Sequence, residues 1–243
     1  MKLLLRPLAA LWLYMLLLGL GITSLAWNLA ALLLWPLLRR PVGQRIGRAA
    51  ISHVYRGFWA TAQATGMMRV DASALDVLRD EPGGLIIAAN HPTMLDALLI
   101  VARLPRGVCI MKAELMRNAF LGSGARLARY IRNDAPHKMV RHAVASLREG
   151  GQLVLFPEGT RTVHPPLNPL LPGLTLISQK AGVPIQTIII ETRSPYLGKG
   201  WPIWRVPPFP LVFRLRLGER FPPSPDHHAT LARLDAYFRK ELA

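Results

Sequence analysis

Cysteine is nearly absent from this chain of 243 residues. The single thiol, Cys109, cannot form an intramolecular disulfide, so nothing in the sequence points to an oxidising compartment. Cys109 lies in an apolar run, where a buried strand thiol is the expected role rather than a nucleophile. A chain of this length buries a sizeable core without disulfide or metal support, and it fits one catalytic domain with an accessory segment.

Acidic residues are scarce as well. The chain has 14 Asp and Glu against 30 Lys and Arg, a net charge of +16, and no acidic residue precedes Asp71. Such an excess suits nucleic acid, an anionic membrane surface or a phosphate-bearing partner. The sequence has no basic helix, zinc-finger spacing or aromatic ribonucleoprotein motif, so we expect no nucleic-acid partner. Its histidines lack metal-ligand spacing, and no metal site is expected.

Charged residues are missing altogether between Pro7 and Leu38, which form one long apolar run. The run is longer than the roughly 20 residues that one membrane crossing needs. It also extends past the roughly 7–15 apolar residues of a signal peptide, so we expect a retained membrane anchor rather than a cleaved signal.

Two arrangements of this run are open. A tilted spanning helix would keep the basic residues after Leu38 in the cytoplasm, because positive charge is retained there. A helical hairpin that breaks near Gly19-Leu20-Gly21 would keep Lys2 and Arg6 there too. Both place the protein at the inner (cytoplasmic) membrane, with the catalytic domain facing the cytoplasm.

After the apolar run, short apolar segments of strand length alternate with segments of helical periodicity. Strands are predicted at 67–70, 85–89, 108–111, 152–156, 185–190 and 211–217, and helices at 45–66, 97–104, 136–149, 174–180 and 229–242. This alternation predicts an α/β fold with a mostly parallel sheet covered by helices. We assign residues 1–66 to a membrane-anchoring helical segment and 67–243 to the catalytic domain.

A histidine and an aspartate follow the predicted strand at 85–89. His91 stands at the exit of the strand, and Asp96 stands in the first turn of the next helix. A carboxylate there can accept a hydrogen bond from one imidazole nitrogen and fix the tautomer. The other nitrogen is then available to take a proton from a hydroxyl group. A capping aspartate near a loop histidine would produce the same spacing.

The residues Phe-Pro-Glu-Gly-Thr-Arg at 156–161 directly follow another predicted buried strand. Gly159 allows backbone to approach a ligand closely, and Arg161 can bind a phosphate with two hydrogen bonds. Glu158 is expected to bind a ligand hydroxyl or to hold Arg161 in place, and Thr160 belongs to the same substrate-binding set. The alternative is a turn with a structural Glu–Arg pair.

Together the two motifs resemble those of the glycerolphosphate acyltransferase family, which includes the lysophosphatidic acid acyltransferases. That family is marked by a His-four residues-Asp motif and a Phe-Pro-Glu-Gly-Thr-Arg motif, and both are complete here. Lys-Ala-Glu-Leu at 112–115 and Val-Pro-Ile at 183–185 extend the likeness, which covers about residues 85–190.

The resemblance implies an α/β enzyme that moves an acyl chain from a thioester to the hydroxyl of a lysophospholipid-type acceptor. It implies His91 as the general base and Asp96 as the residue that orients it. Glu158 and Arg161 would hold the phosphate end of the acceptor. The implied partners are membrane lipids and acyl-coenzyme A or acyl carrier protein, which serves as co-substrate, and no cofactor is implied.

The chain departs from the family pattern on the acceptor side. The second motif of the family usually ends in Asp-Arg, whereas residues 130–133 keep only Arg132. Arg132 and Lys112 are therefore further candidates for substrate binding. The usual Phe-Lys-x-Gly is replaced by Leu-Leu-Pro-Gly at 170–173. Two alternatives stay open: acyl transfer to a non-phosphate acceptor, such as an aminolipid, polyene or glycolipid precursor, and a thioesterase or lipid hydrolase.

Overall fold

The computed structural model describes residues 5–202 and 204–243, so Lys2 lies outside the described residues. The helices are α1 (Leu5–Leu37), α2 (Arg40–Ala64), α3 (Asp96–Arg103), α4 (Gly122–Leu127), α5 (Pro136–Arg148), α6 (Gly173–Ala181) and α7 (His227–Leu242). The strands are β1 (Met68–Asp71), β2 (Leu85–Ala89), β3 (Gly107–Lys112), β4 (Ile131–Asn133), β5 (Gln152–Leu155), β6 (Ile185–Thr192) and β7 (Leu211–Phe221). Short 3-10 helices cover Ser73–Leu78 and Ala113–Arg117.

The strands form one seven-stranded sheet in the order β1-β7-β6-β2-β5-β3-β4. All neighbours are parallel except β6 and β7, which are antiparallel. The central strand β2 is buried along its whole length, with Ile87 facing the α2–α3 layer and Ile86 facing the α5–α6–α7 layer. The predicted α/β fold with a mostly parallel, covered sheet is confirmed.

The N-terminal apolar run forms one continuous helix, α1, of 33 residues. Of the two arrangements left open, the hairpin that breaks near Gly19-Leu20-Gly21 does not form. A glycine inside a helix costs only about 1 kcal/mol relative to alanine, and strong helix formers surround these glycines. The chain reverses later, at Arg39, which has extended backbone with ψ of 143°. Pro41 follows in the first turn of α2, where its fixed φ favours the start of a helix.

One side of α1 packs against the rest of the protein. Leu13 and Ala31 are fully buried, and the side-chain oxygen of Asn28 accepts a 2.9 Å hydrogen bond from the Gly124 backbone. The other side is apolar and exposed, with Leu33 at 70% exposure. By length and composition, residues 7–37 are sufficient to cross a membrane.

The helix α2 shares the core of the sheet domain. Its Ile51, Phe58 and Ala62 belong to the same buried cluster as the sheet residues on that face. The division at residue 66 between an anchoring segment and a catalytic domain stays a prediction.

Candidate active site

The strand β2 delivers His91 to the carboxyl edge of the sheet. Before it, the buried Asn90 side chain fixes the exit of the chain, because its amide donates to the Ile190 carbonyl (3.0 Å) and accepts from the Ile190 N–H (2.7 Å). His91 then directs Nδ1 to Oδ2 of Asp96, the first residue of α3, at 2.8 Å. The two residues that the sequence analysis pairs are thus in direct contact.

The Asp96 carboxylate is fully buried, and Thr93 satisfies it from the same turn. The Thr93 backbone N–H donates to Oδ2 (2.8 Å), and its hydroxyl donates to Oδ1 (2.7 Å). Burial raises the pKa of Asp96, while the hydrogen bonds from His91 and Thr93 oppose that shift. These donors fit an ionised acceptor, and the tautomer that donates from Nδ1 of His91 to Asp96 leaves the lone pair on Nε2.

The second motif packs directly on this pair. The ring of Phe156 stacks on the His91 imidazole, with 3.9 Å between ring centroids and 16° between ring planes. This contact follows from the sheet order, because β2 and β5 are hydrogen-bonded neighbours and both motifs leave the same edge. The His91 side chain keeps 17% of its surface exposed, so the ring remains accessible from the edge of the sheet.

Glu158 ties the two motifs together. Its buried carboxylate accepts hydrogen bonds from the His91 backbone N–H, the Thr162 hydroxyl and the Asn168 N–H, each at 2.9 Å. The Thr162 N–H also donates to the His91 carbonyl at 2.8 Å. A carboxylate offers about four acceptor sites, and the protein itself takes three. The predicted contact of Glu158 with a ligand stays a prediction.

Arg161 does not pair with Glu158, and that part of the sequence interpretation is wrong. Its Nη1 donates instead to the backbone carbonyls of Leu197 (2.8 Å) and Gly198 (2.9 Å). The Leu197 carbonyl also accepts from the Met94 N–H (3.0 Å). The segment at 197–198 is therefore bound to both motifs, although it carries no motif of its own.

The other two residues of the second motif have different environments. Gly159 adopts a positive φ of 68°, which favours glycine, and an added Cβ would lie 2.5 Å from the Leu171 side chain. The Thr160 hydroxyl accepts a 3.2 Å hydrogen bond from Lys199 Nζ. Lys199 thus brings a cation to the site that the motifs do not predict.

Lys112 and Arg132 lie farther along the same edge. Lys112 ends β3, two strand positions from β2, which corresponds to about 10 Å across the sheet. Arg132 lies on β4, one strand farther out, and forms an ion pair with Asp134. The structure therefore brings Lys112 nearer to His91 than Arg132, and substrate binding by either one stays a prediction.

The role of Thr93 was not predicted from the sequence, although a signal was present. Residues 93–96 read Thr-x-x-Asp before an apolar run, the pattern of a capping box. The Thr93 N–H donates to Asp96, but the Thr93 hydroxyl accepts from the Leu95 N–H, two residues on rather than three, so the turn precedes α3, whose N-cap is Leu95. In the described part of the chain, no group of three or more His, Cys, Asp and Glu residues is arranged to hold a metal ion.

Comparisons with known proteins agree with this geometry. Two proteins named 1-acyl-sn-glycerol-3-phosphate acyltransferase, from Limnanthes alba and Limnanthes douglasii, are each 26% identical over 227 residues. Each match covers 90% of this chain and 74% of the relative. A protein of the same name from Cocos nucifera is 26% identical over 182 residues, which cover 71% of this chain and 56% of the relative.

The fold has a solved counterpart. The crystal structure of the 1-acyl-sn-glycerophosphate (LPA) acyltransferase PlsC from Thermotoga maritima superimposes with a TM-score of 0.74 at 20% identity, covering 100% of this chain and 96% of that one. A family model described as Acyltransferase matches residues 69–191, which is just over half of the chain and includes both motifs. The family resemblance read from the two motifs is confirmed: the chain belongs to the acyltransferase family and is an O-acyltransferase.

Proposed function

We propose that the protein transfers a fatty acyl group from an acyl thioester to the free hydroxyl of a lysolipid of the 1-acyl-glycerol-3-phosphate type. The observation that carries the proposal is the 2.8 Å contact between His91 Nδ1 and Asp96 Oδ2 at the carboxyl edge of the sheet. The names of the plant relatives and of the Thermotoga protein support the choice of acceptor.

The proposed chemistry uses His91 as a general base. Nε2 takes the proton of the acceptor hydroxyl as its oxygen attacks the thioester carbonyl carbon. Asp96 stabilises the imidazolium that forms and holds the ring in position. The tetrahedral intermediate then breaks its C–S bond, and the thiolate leaves with the proton that His91 returns. The products are an ester and a free thiol, so no acyl-enzyme nucleophile and no cofactor are needed.

The acceptor phosphate is proposed to bind beside Arg161 and Lys199. Both cations lie at the second motif, and Arg161 is fixed there by two backbone carbonyls. Guanidinium groups bind phosphate oxygens with strong, charge-assisted hydrogen bonds. Lys112, at the end of the neighbouring strand β3, is proposed to contact the same ligand.

A transfer assay tests this proposal. Purified protein in detergent is given acyl-coenzyme A or acyl-acyl carrier protein, each with a lysophosphatidic acid or with a lysolipid that lacks phosphate. We expect a diacyl product from the phosphate-bearing acceptor, and a loss of about 10²–10⁴-fold in rate for His91→Ala, the range for a general base. His228→Ala is the matched control, because His228 is exposed at the start of α7, on the opposite edge of the sheet.

Three results would contradict the proposal. The first is an unchanged rate for His91→Ala in a folded protein. The second is release of free fatty acid that does not depend on an added acceptor, which would indicate a thioesterase. The third is transfer only to the acceptor without phosphate, which would indicate a different lipid substrate.

Membrane attachment is proposed to occur through the exposed side of α1. Because α1 packs on the protein along one side, we infer that its other side enters one leaflet while the catalytic domain stays on the cytoplasmic surface. Leu33 and Leu37 are 70% and 76% exposed, and burying each leucine contributes about 1.5–3 kcal/mol. Leu33→Glu with Leu37→Glu should therefore weaken flotation with vesicles by more than about tenfold. Val77→Glu, at an exposed site outside α1, should leave flotation unchanged.

A further inference from the structure

A large cavity lies beside the edge strand β4, away from the His91 cluster. Its volume is about 720 Å³, and it is bounded by the first turns of α2, the connection between α4 and β4, and the second half of α5. None of the His91, Asp96 or 156–161 side chains lines it. Six arginines line it, namely Arg40, Arg48, Arg117, Arg126, Arg129 and Arg132. We call it the arginine cavity.

The positive charge of the arginine cavity is largely uncompensated. Glu149 is the one acidic residue among its lining residues. Of the six arginines, only Arg132 forms an ion pair with another residue of the described ranges 5–202 and 204–243. Burial lowers the pKa of Arg129, and repulsion from the like charge of Arg40 lowers it further. An anion between them would remove that repulsion.

Arg48 is the most unusual member of the group. It is only 8% exposed, and its Nε donates to the Ala128 carbonyl at 3.1 Å. The preceding Gly47 permits this approach, because a Cβ there would lie 2.6 Å from the Ala128 nitrogen. A buried guanidinium without a carboxylate partner is costly, since charges removed from water need a counter-ion.

We propose that the arginine cavity is a second ligand site, separate from the active site, which binds a phosphate group. Phosphate matches the cavity because its oxygens accept several charge-assisted hydrogen bonds, and guanidinium is the side chain that binds it most specifically. The phosphate belongs either to an anionic membrane lipid or to a soluble molecule.

The position of the cavity relates it to the membrane-facing helix. Trp35, near the end of α1, lines the cavity, and the Arg129 guanidinium lies 4.4 Å from the centre of its ring. The exposed apolar side of α1, which ends at Leu37, adjoins this point. A lipid phosphate in the cavity would leave its acyl chains beside that apolar surface, as tryptophan and arginine at membrane interfaces favour.

Binding is tested with the full-length protein in a neutral detergent. One arm measures the shift of the unfolding temperature when sodium phosphate replaces sodium chloride at equal ionic strength. The other arm measures co-flotation with phosphatidylcholine vesicles, with and without phosphatidylglycerol. A ligand that binds only the folded state raises the unfolding temperature.

The variants are Arg48→Met and the double change Arg40→Gln with Arg129→Gln. Loss of these charge-assisted hydrogen bonds should weaken the binding of phosphate, or of phosphatidylglycerol vesicles, by about tenfold or more. Arg45→Gln and Arg56→Gln are the matched controls, because both arginines are exposed on α2 and lie outside the cavity. If Arg48→Met does not fold, the double variant alone decides, since Arg40 is exposed and Arg129 is only partly buried.

Each outcome is decisive. An effect of soluble phosphate that the cavity variants lose supports the site with a soluble ligand. An effect of phosphatidylglycerol alone, lost in the same variants, supports a lipid headgroup. Equal losses in the control variants would show that general surface charge is responsible and would overturn the proposal. So would wild-type protein that responds to neither anion.

Discussion

The substitution Glu158→Gln tests whether Glu158 positions His91 or contacts the acceptor. In the structure its carboxylate receives three protein donors, one of them the backbone N–H of His91. Glutamine has nearly the same shape but only one acceptor oxygen. If that oxygen keeps the donors from His91 and Thr162, the amide NH₂ group faces the N–H of Asn168.

The magnitude follows from these contacts. A buried hydrogen bond to a charged group contributes about 1.5–3 kcal/mol, and an unsatisfied buried donor adds to the loss. We therefore expect Glu158→Gln to lower the free energy of unfolding by about 2–4 kcal/mol. For a chain of this size that corresponds to about 4–16 °C in unfolding temperature. Displacement of His91 should lower kcat by about 10–100-fold, with a change in acceptor KM of about twofold or less.

The assay combines thermal unfolding with initial rates over a range of acceptor concentrations. Glu219→Gln is the control, because Glu219 is exposed on β7 and its 3.6 Å pair with Arg233 is worth at most about 1 kcal/mol. A variant with unchanged unfolding temperature and a strongly raised acceptor KM would refute the reasoning. Glu158 would then be a substrate-binding residue, as the motif alone indicates.

Three further predictions follow from buried or paired groups. Thr93→Val removes the hydroxyl that donates to Asp96 at 2.7 Å. Unfolding experiments should show a loss of about 1–3 kcal/mol in the free energy of unfolding. The kcat should fall as well, and an unchanged kcat would contradict a positioning role for Thr93. Burial raises the pKa of Cys109 to about 12. At pH 8 iodoacetamide should therefore modify the thiol only in denaturant, and treatment of the folded protein should leave turnover intact. Arg220 lowers the pKa of Glu81; the pair therefore stabilises the fold above pH 4.5, the ordinary pKa of the carboxyl, and this contribution is lost as the pH falls from 4.5 through the lower folded value. Wild type and Glu81→Gln should differ by at most about 1 kcal/mol in the free energy of unfolding at pH 7. Denaturation curves at acid pH should show no difference between them.

Sequence alone predicts the main elements because their signals are local. Apolar runs between turn residues mark β2, β5 and β6, and helical periodicity marks α2, α5 and α7. The short elements α4 and β4 were not predicted. α4 has only six residues, and two of them are glycines, which disfavour a helix. It is held by contacts with α1 and α2 rather than by its own propensity.

The composition of the candidate site is also readable from the chain, since His91, Asp96 and the residues at 156–161 each follow a buried strand. Only the tertiary structure decides that β2 and β5 are neighbours, although β3 and β4 lie between them in the chain. That pairing places Phe156 on the His91 ring and turns Glu158 toward the His91 backbone. It also lets the 197–198 segment, distant in sequence and without a motif, bind Arg161. Periodicity predicts which residues are buried. A hydrogen bond between segments that are distant in sequence depends on the order of the strands in the sheet, and no local sequence pattern predicts that order.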